Sequence, residues 1–309
     1  MLQIYILSRN RVDLLEKTLI SAITQKYKDI QIIVSDNSDS FQISDMMSKN
    51  FKNIKYIKRE PVLPPFDHVA TIIEEASAEY LMIFHDDDIL KVNHASDLIS
   101  KIKSFPDVSA VASNADLIGD VFYKNRQFMT IKNDTLISSP AELFEHYLGL
   151  HPSGISPAAF PGYIYRTSML KKTNKTFVNK CAMFGDVQLL SEILSQGKIL
   201  WLPQSTFYYR VWSGQTSSRE KIYDRIKLLN FMSSYGIKLN SDSVKYFKLL
   251  YLWRYWKRDN KRVIRYPRLL RDRIILKFIF LSFCHLILYN SIFSKKKILG
   301  QIYIVFFKS

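Results

Sequence analysis

The sequence reads as an α/β protein, a mostly parallel sheet flanked by helices and followed by a basic helical extension. Short apolar runs alternate with amphipathic segments over the first 112 residues. That order, with short connections, argues right-handed crossovers within one parallel sheet. The charge is also divided. The last 91 residues hold 21 Lys and Arg against 5 Asp and Glu, and the first 218 hold 23 of each. The whole net charge of +16 therefore sits in the C-terminal part, which marks both a boundary and a partner. The organisation expected is an α/β domain over 1–215 and a basic, aromatic-rich region over 216–309.

The elements follow in order. Residues 3–7 are an apolar strand, and 12–25 carry Leu14, Leu15, Leu19, Ala22 and Ile23 at helical spacing. Strand 30–34 ends in Ser35-Asp36-Asn37-Ser38-Asp39. A short helix over 43–51 and a strand over 54–57 come next. Pro61, Pro64 and Pro65 make a loop, and 66–76 is a helix. Residues 80–84 are a continuous apolar run, the pattern of a strand buried on both faces. Helix 93–102 and strand 108–112 follow. Residues 113–160 read as irregular apart from a helix over 141–148. Strand 160–166 is entered through a tight turn. Helix 187–194 has Gly197 as its expected C-cap, and 199–202 and 206–211 are two further strands.

Composition narrows the class. The chain has 309 residues, 47% of them hydrophobic, and two cysteines far apart, Cys181 and Cys284. No disulfide framework or zinc spacing can be built from these, and a reducing compartment is expected. The N-terminus reads as a first strand and not as a signal peptide. Neither G-x-G-x-x-G nor G-x-x-x-x-G-K-[ST] occurs, which argues against dinucleotide oxidoreductases and P-loop NTPases.

Acids stand instead at strand ends: Asp36 after the second strand, and Asp86, Asp87 and Asp88 after the fourth. Three adjacent carboxylates repel one another and stay ionised together most easily around a cation. Oxygen ligands suit Mg²⁺ or Mn²⁺, ions that also hold substrate phosphates. The plain alternative is a polar turn capping the next helix. For Asp36 the alternatives are a ribose-binding acid or a turn former. Asp186, opening a helix, could be a simple N-cap.

Taken together, Ser8-Arg9-Asn10-Arg11, Val34-Ser35-Asp36-Asn37-Ser38, Ala78-Glu79-Tyr80 running into Asp86-Asp87-Asp88, Gly185-Asp186 and Tyr209-Arg210-Val211 stand in an order that resembles the family 2 glycosyltransferases, over roughly residues 1–215. The resemblance implies the GT-A (Rossmann-like) fold and inverting transfer from a nucleotide sugar. By position it implies that Asp36 binds the nucleotide, flanked by Ser8, Arg9 and Arg11. Asp86, Asp87 and Asp88, as the DXD motif, would hold Mn²⁺ or Mg²⁺ and through it the diphosphate, with Asp86 also on the nucleotide sugar. Asp186 would be the catalytic base. Two departures stand out. The family usually has Glu-Asp where this chain has Gly185-Asp186, and many relatives carry a His where it has Trp212. A tryptophan cannot ligate a metal, though it can stack or fill space. His68 and His85 lie near the expected site without an assigned role. A non-catalytic nucleotide-binding scaffold and a nucleotidyltransferase are the alternative functions.

In the extension, residues 220–231 and 244–256 read as helices. A cluster of Trp and Tyr among Lys and Arg leads to a mostly apolar stretch at 274–293. Such a segment suits an anionic membrane interface, with a transmembrane hairpin or a helical cap as the other readings. No recognised nucleic-acid motif is present. The partners expected are a nucleoside-diphosphate sugar, a glycan or lipid-linked acceptor, and the inner face of the cell membrane, approached peripherally from the cytoplasm.

Overall fold

The computed structural model describes residues 1–119, 126–149, 151–173, 181–212 and 222–237. Met1–Ile237 forms one compact unit. The expected helix at 244–256 and the apolar stretch at 274–293 lie outside the described residues. Among the described residues, no helix is long and apolar enough to cross a membrane.

The first half follows the alternating pattern. Strand β1 (Leu2–Ser8) leads through α1 (Val12–Ile23) to β2 (Ile30–Asp36), then α2 (Gln42–Asn50), β3 (Lys55–Lys58), α3 (Pro65–Glu75) and β4 (Tyr80–His85). β1 lies between β2 and β4, all parallel, and β3 continues the sheet beyond β2. Alternation along these strands builds two cores. Ile4, Ile6, Met82 and Phe84 face α1, α2 and α4 (His94–Ser104). Tyr5, Leu81 and Ile83 face the other way, toward α3, α5 (Pro140–Leu148) and α7 (Gly185–Leu194).

The second half departs from the expected pattern. The chain leaves β4 through the acid turn and forms β5 (Ile89–Leu90), antiparallel to β9 (Lys198–Val211). The full strand order is β3-β2-β1-β4-β8-β6-β9-β5, with β7 (Thr135–Ile137) also on β9. β8 (Tyr163–Arg166) is antiparallel to both β4 and β6, and follows a 3-10 turn at Phe160–Gly162. β6 (Val108–Gly119) runs seven residues past the expected end at 112. Polar residues hide that continuation. Asn114 is fully buried, but its amide accepts from the Met129 N–H at 2.8 Å and donates to the Met129 carbonyl at 2.9 Å. β9 is one strand where two were expected. Its register on β6 jumps from Leu202 to Ser205, so Pro203, which has no N–H to give, sits at a bulge. Gly197 is not the cap of α7. It lies beyond Ser195, which ends the helix, and a Cβ there would stand 2.2 Å from the Ser109 hydroxyl. Its bareness serves close approach to β6. α6 (Thr167–Leu170), a 3-10 turn at Ala182–Phe184 and α8 (Ile222–Ser233) complete the described elements.

Phe207 on β9 ties the halves together. It is fully buried, meets Phe84 and His94 edge-on at 6.4 and 5.9 Å, and lies against Gly162. Phe207→Ala is expected to cost about 3–5 kcal/mol, read by chemical denaturation. A loss under about 1 kcal/mol would mean that the junction is not packed as described.

Candidate active site

The parallel register brings Ser8, Asp36 and His85 to one edge: Ser8 pairs with Asp36 and Leu7 with His85. Ligands bind at this C-terminal edge in open α/β sheets. Two loops there are laced together. Asn10 adopts φ 56°, a left-handed conformation that Asn tolerates. Its N–H donates to the Ser38 hydroxyl at 2.8 Å, and its side-chain amide to Asp39 at 3.1 Å.

Asp36 is fully buried. It accepts from the Ser38 N–H at 2.8 Å, the Tyr56 hydroxyl at 2.7 Å and Lys58 Nζ at 3.3 Å. In this arrangement it braces the loop and the Tyr56–Lys58 pair. His68 is a core residue, its Nε2 lying 2.6 Å from the Ser35 hydroxyl. Burial, above all, lowers its pKa to about 4.

The acid turn is pinned from both sides. The Thr18 hydroxyl on α1 faces the carbonyls of Asp86 and Asp88 at 3.0 and 2.7 Å. The Arg210 N–H donates to Asp88 Oδ1 at 2.8 Å, and its Nε to the Asp87 carbonyl at 2.9 Å. All three residues are buried, at 2%, 8% and 1% exposure for Asp86, Asp87 and Asp88. They are not equivalent. Asp86 has both oxygens engaged: Oδ2 by the Ser8 hydroxyl at 2.7 Å and the Arg9 N–H at 3.1 Å, Oδ1 by Arg11 at 2.9 Å. Asp87 Oδ2 accepts from Arg11 at 2.8 Å and from the Trp212 indole N–H at 3.1 Å. Arg11 also lies over the Trp212 ring, 5.6 Å from its centroid. Asp88 Oδ2 is buried with no partner among the described residues. The Arg9 guanidinium reaches Asp39 and not the turn.

Burial is the first cause of raised pKa values here. It lifts Asp86 to about 6 against the pull of Arg11 and Ser8. It lifts Asp88 well above the usual range, with the Asp87 charge adding to the rise.

Asp186 sits in the first turn of α7, where Phe184 and not Asp186 occupies the cap. Its Oδ1 is enclosed without a hydrogen-bond partner. Burial raises its pKa, against its own and the Val187 backbone N–H groups and the charge of Arg225. Arg225 reaches this corner from α8, stacking on Phe184 at 4.2 Å. Gly185 is explained by packing. A Cβ would stand 2.4 Å from the Phe66 ring, so Phe66 fills the space that a glutamate would need.

One group that the sequence left unassigned belongs here. A ring nitrogen of His85 and carboxylate oxygens of Asp87 and Asp88 lie within 4.8 Å of one another. A second cluster, Glu142, His146 and His151, also gathers donor atoms. Its two imidazoles stack at 3.8 Å with planes only 22° apart. In-plane lone pairs so arranged do not meet on one ion.

The profile of Glycosyl transferase family 2 matches residues 3–185. A search of curated proteins finds no match to the sequence. Among solved structures, S. aureus TarS 1–349 in complex with UDP-GlcNAc superposes with a TM-score of 0.60 at 14% identity, over 83% of this chain and 72% of that one. The chain spans 43% of the longer S. aureus TarS structure, with a TM-score of 0.56 at 13% identity over 82% of this chain. The mannosyltransferase PcManGT from Pyrobaculum calidifontis, in complex with GDP-Man and Mn²⁺, gives 0.52 at 12% identity, over 76% of this chain and 64% of that one. These likenesses show the shared fold.

The raised pKa values carry a sign. An acid whose folded pKa lies above its unfolded value favours the fold at low pH and loses that contribution as pH rises through the folded pKa. For Asp86 the window runs from about 4 to about 6. At neutral pH in EDTA, Asp88→Asn is therefore expected to raise the melting temperature. A lowered melting temperature would mean that the Asp88 charge is already compensated.

Proposed function

The chain belongs to glycosyl transferase family 2, and on that footing we propose an inverting enzyme that moves a sugar from a nucleoside-diphosphate sugar to a hydroxyl of a glycan or lipid-linked acceptor, in surface-polysaccharide synthesis. The observation that carries the reading is the acid turn after β4, where Asp88 keeps a buried carboxylate oxygen without a partner beside Asp87. Donor nucleotides in related structures, UDP-GlcNAc and GDP-Man, support the donor class.

A hard divalent cation fits these donors, since carboxylate oxygens suit Mg²⁺ or Mn²⁺ and a cation would satisfy the orphaned oxygen of Asp88. Mn²⁺ in the related GDP-Man complex supports the same choice. Asp88 and Asp87 would hold the ion. Asp86, with both oxygens taken, would align the Ser8–Arg11 loop against the nucleotide. When bound, the ion neutralises charge growing on the leaving diphosphate.

The chain's own residues do the rest. Arg11 and Arg210 bring positive charge to the turn, Arg11 by pairing with Asp86 and Asp87 and Arg210 through Asp88 and the Asp87 carbonyl. Asp36, with Tyr56 and Lys58, sets the floor of the nucleotide side. Asp186 takes the proton from the acceptor hydroxyl as that oxygen attacks the anomeric carbon and the nucleoside diphosphate leaves. A raised pKa makes its carboxylate a stronger base than an ordinary aspartate. No side-chain nucleophile takes part, so one displacement inverts the centre. The basic segment beyond residue 237 would dock on the anionic inner face of the membrane, where a lipid-linked acceptor lies.

Asp186→Asn is expected to cut transfer at least ~10²-fold while leaving nucleotide binding unchanged by calorimetry. Because the base must be ionised, the acid limb of kcat/KM in the wild type should lie above the ordinary aspartate value of 3.8. Substantial turnover by the variant would remove Asp186 from the base role. A wild type that binds nucleotide with Mn²⁺ but turns over no donor in a nucleotide-sugar panel would favour a non-catalytic scaffold.

A further inference from the structure

We propose that His85 is a nitrogen ligand of the divalent ion, so that the metal is held by a His85–Asp87–Asp88 set and not by aspartates alone. The inference rests on the metal-dependent reading above and deepens it. Alternation along β4 turns His85 to the face of Leu81 and Ile83, toward α3 and α7, and away from the face of Phe84. Its ring lies beside Phe160, with centroids 6.0 Å apart at 37°, a contact that uses neither nitrogen. Neither nitrogen makes a hydrogen bond within the described residues. One of them falls within 4.8 Å of carboxylate oxygens of both Asp87 and Asp88.

The neighbouring groups point the same way. Asp86 has no free oxygen to offer, since Ser8, the Arg9 amide and Arg11 occupy both. Trp212, at the end of β9, is a donor only and spends its N–H on Asp87 Oδ2. That bond orients the Asp87 carboxylate from outside the donor set, as hydrogen bonds commonly do for metal ligands. The nitrogen donor beside the two carboxylates is His85 at the end of β4, and the indole supports a ligand. A mixed nitrogen and oxygen set has a consequence for selectivity. Mg²⁺ prefers oxygen and water, whereas imidazole favours transition metals, so this site should prefer Mn²⁺ over Mg²⁺.

The test is pulsed electron paramagnetic resonance on the tag-free full chain with Mn²⁺ alone and with Mn²⁺ plus UDP, alongside Mn²⁺ and Mg²⁺ titrations. The wild type should show nitrogen coupling from a directly bound imidazole. His85→Gln should lose that coupling, weaken Mn²⁺ binding roughly tenfold or more, and lose the preference over Mg²⁺. Melting curves monitor folding, and His85→Asn serves as a second variant. Mn²⁺ bound by the wild type without nitrogen coupling, or coupling that persists in the folded variants, would overturn the role of His85 and leave the metal reading intact. A wild type that binds no Mn²⁺ in either condition would overturn both.

Discussion

Three adjacent carboxylates are buried at the edge of one sheet, and Arg11 is the side chain that makes ion pairs to two of them. Burying like charges is costly, and the charges of Arg11 and Arg210 leave the pKa values of Asp86 and Asp88 raised. Much of the surrounding structure restrains this turn. Thr18 holds its carbonyls from α1, β5 draws the chain across to β9, and Arg210 ties Asp88 and Asp87 from the end of that strand. The turn cannot relax into solvent, so its charge must be met by a ligand or by protonation. Raised pKa values at Asp86 and Asp88 express that tension in the protein alone.

The same constraint divides the labour among residues that look alike in sequence. Asp86 is consumed in aligning the Ser8–Arg11 loop, Asp87 is oriented by Trp212 and Arg11, and Asp88 retains an orphaned oxygen. On the opposite core face, Gly185 lets α7 start hard against Phe66, and this sets the position of Asp186. The two departures from the family pattern therefore have local physical reasons. One is a packing exchange with Phe66, and the other is an indole N–H donated to a carboxylate.

Much of the first half was legible because its signals are local. Apolar runs for β1, β2 and β4 and helical spacing for α1 need no tertiary information, and acids at strand ends follow from the order of elements. The second half was less legible because burial there is bought with hydrogen bonds. Buried Ser113 and Asn114 break the apolar pattern of β6 while satisfying their polar atoms, and Pro203 is absorbed in a bulge of β9. The three-residue β7 carries too few residues for a period. Within the site, the acids could be picked out but their partners could not. That Asp36 is braced by Tyr56 and Lys58, or that His85 faces Asp87 and Asp88, depends on strand register and on which face each side chain takes.

If the acid turn binds a nucleoside diphosphate through a divalent cation, the nucleotide's affinity must depend on the metal. The decisive measurement is calorimetric titration of the full chain with UDP and with GDP, in Mn²⁺ and in EDTA. One of the two nucleotides should bind at least about tenfold more tightly with Mn²⁺, a gain of about 1.4 kcal/mol or more, and Asp88→Asn should abolish this gain. Equal affinity in Mn²⁺ and EDTA for both nucleotides would contradict binding through the cation.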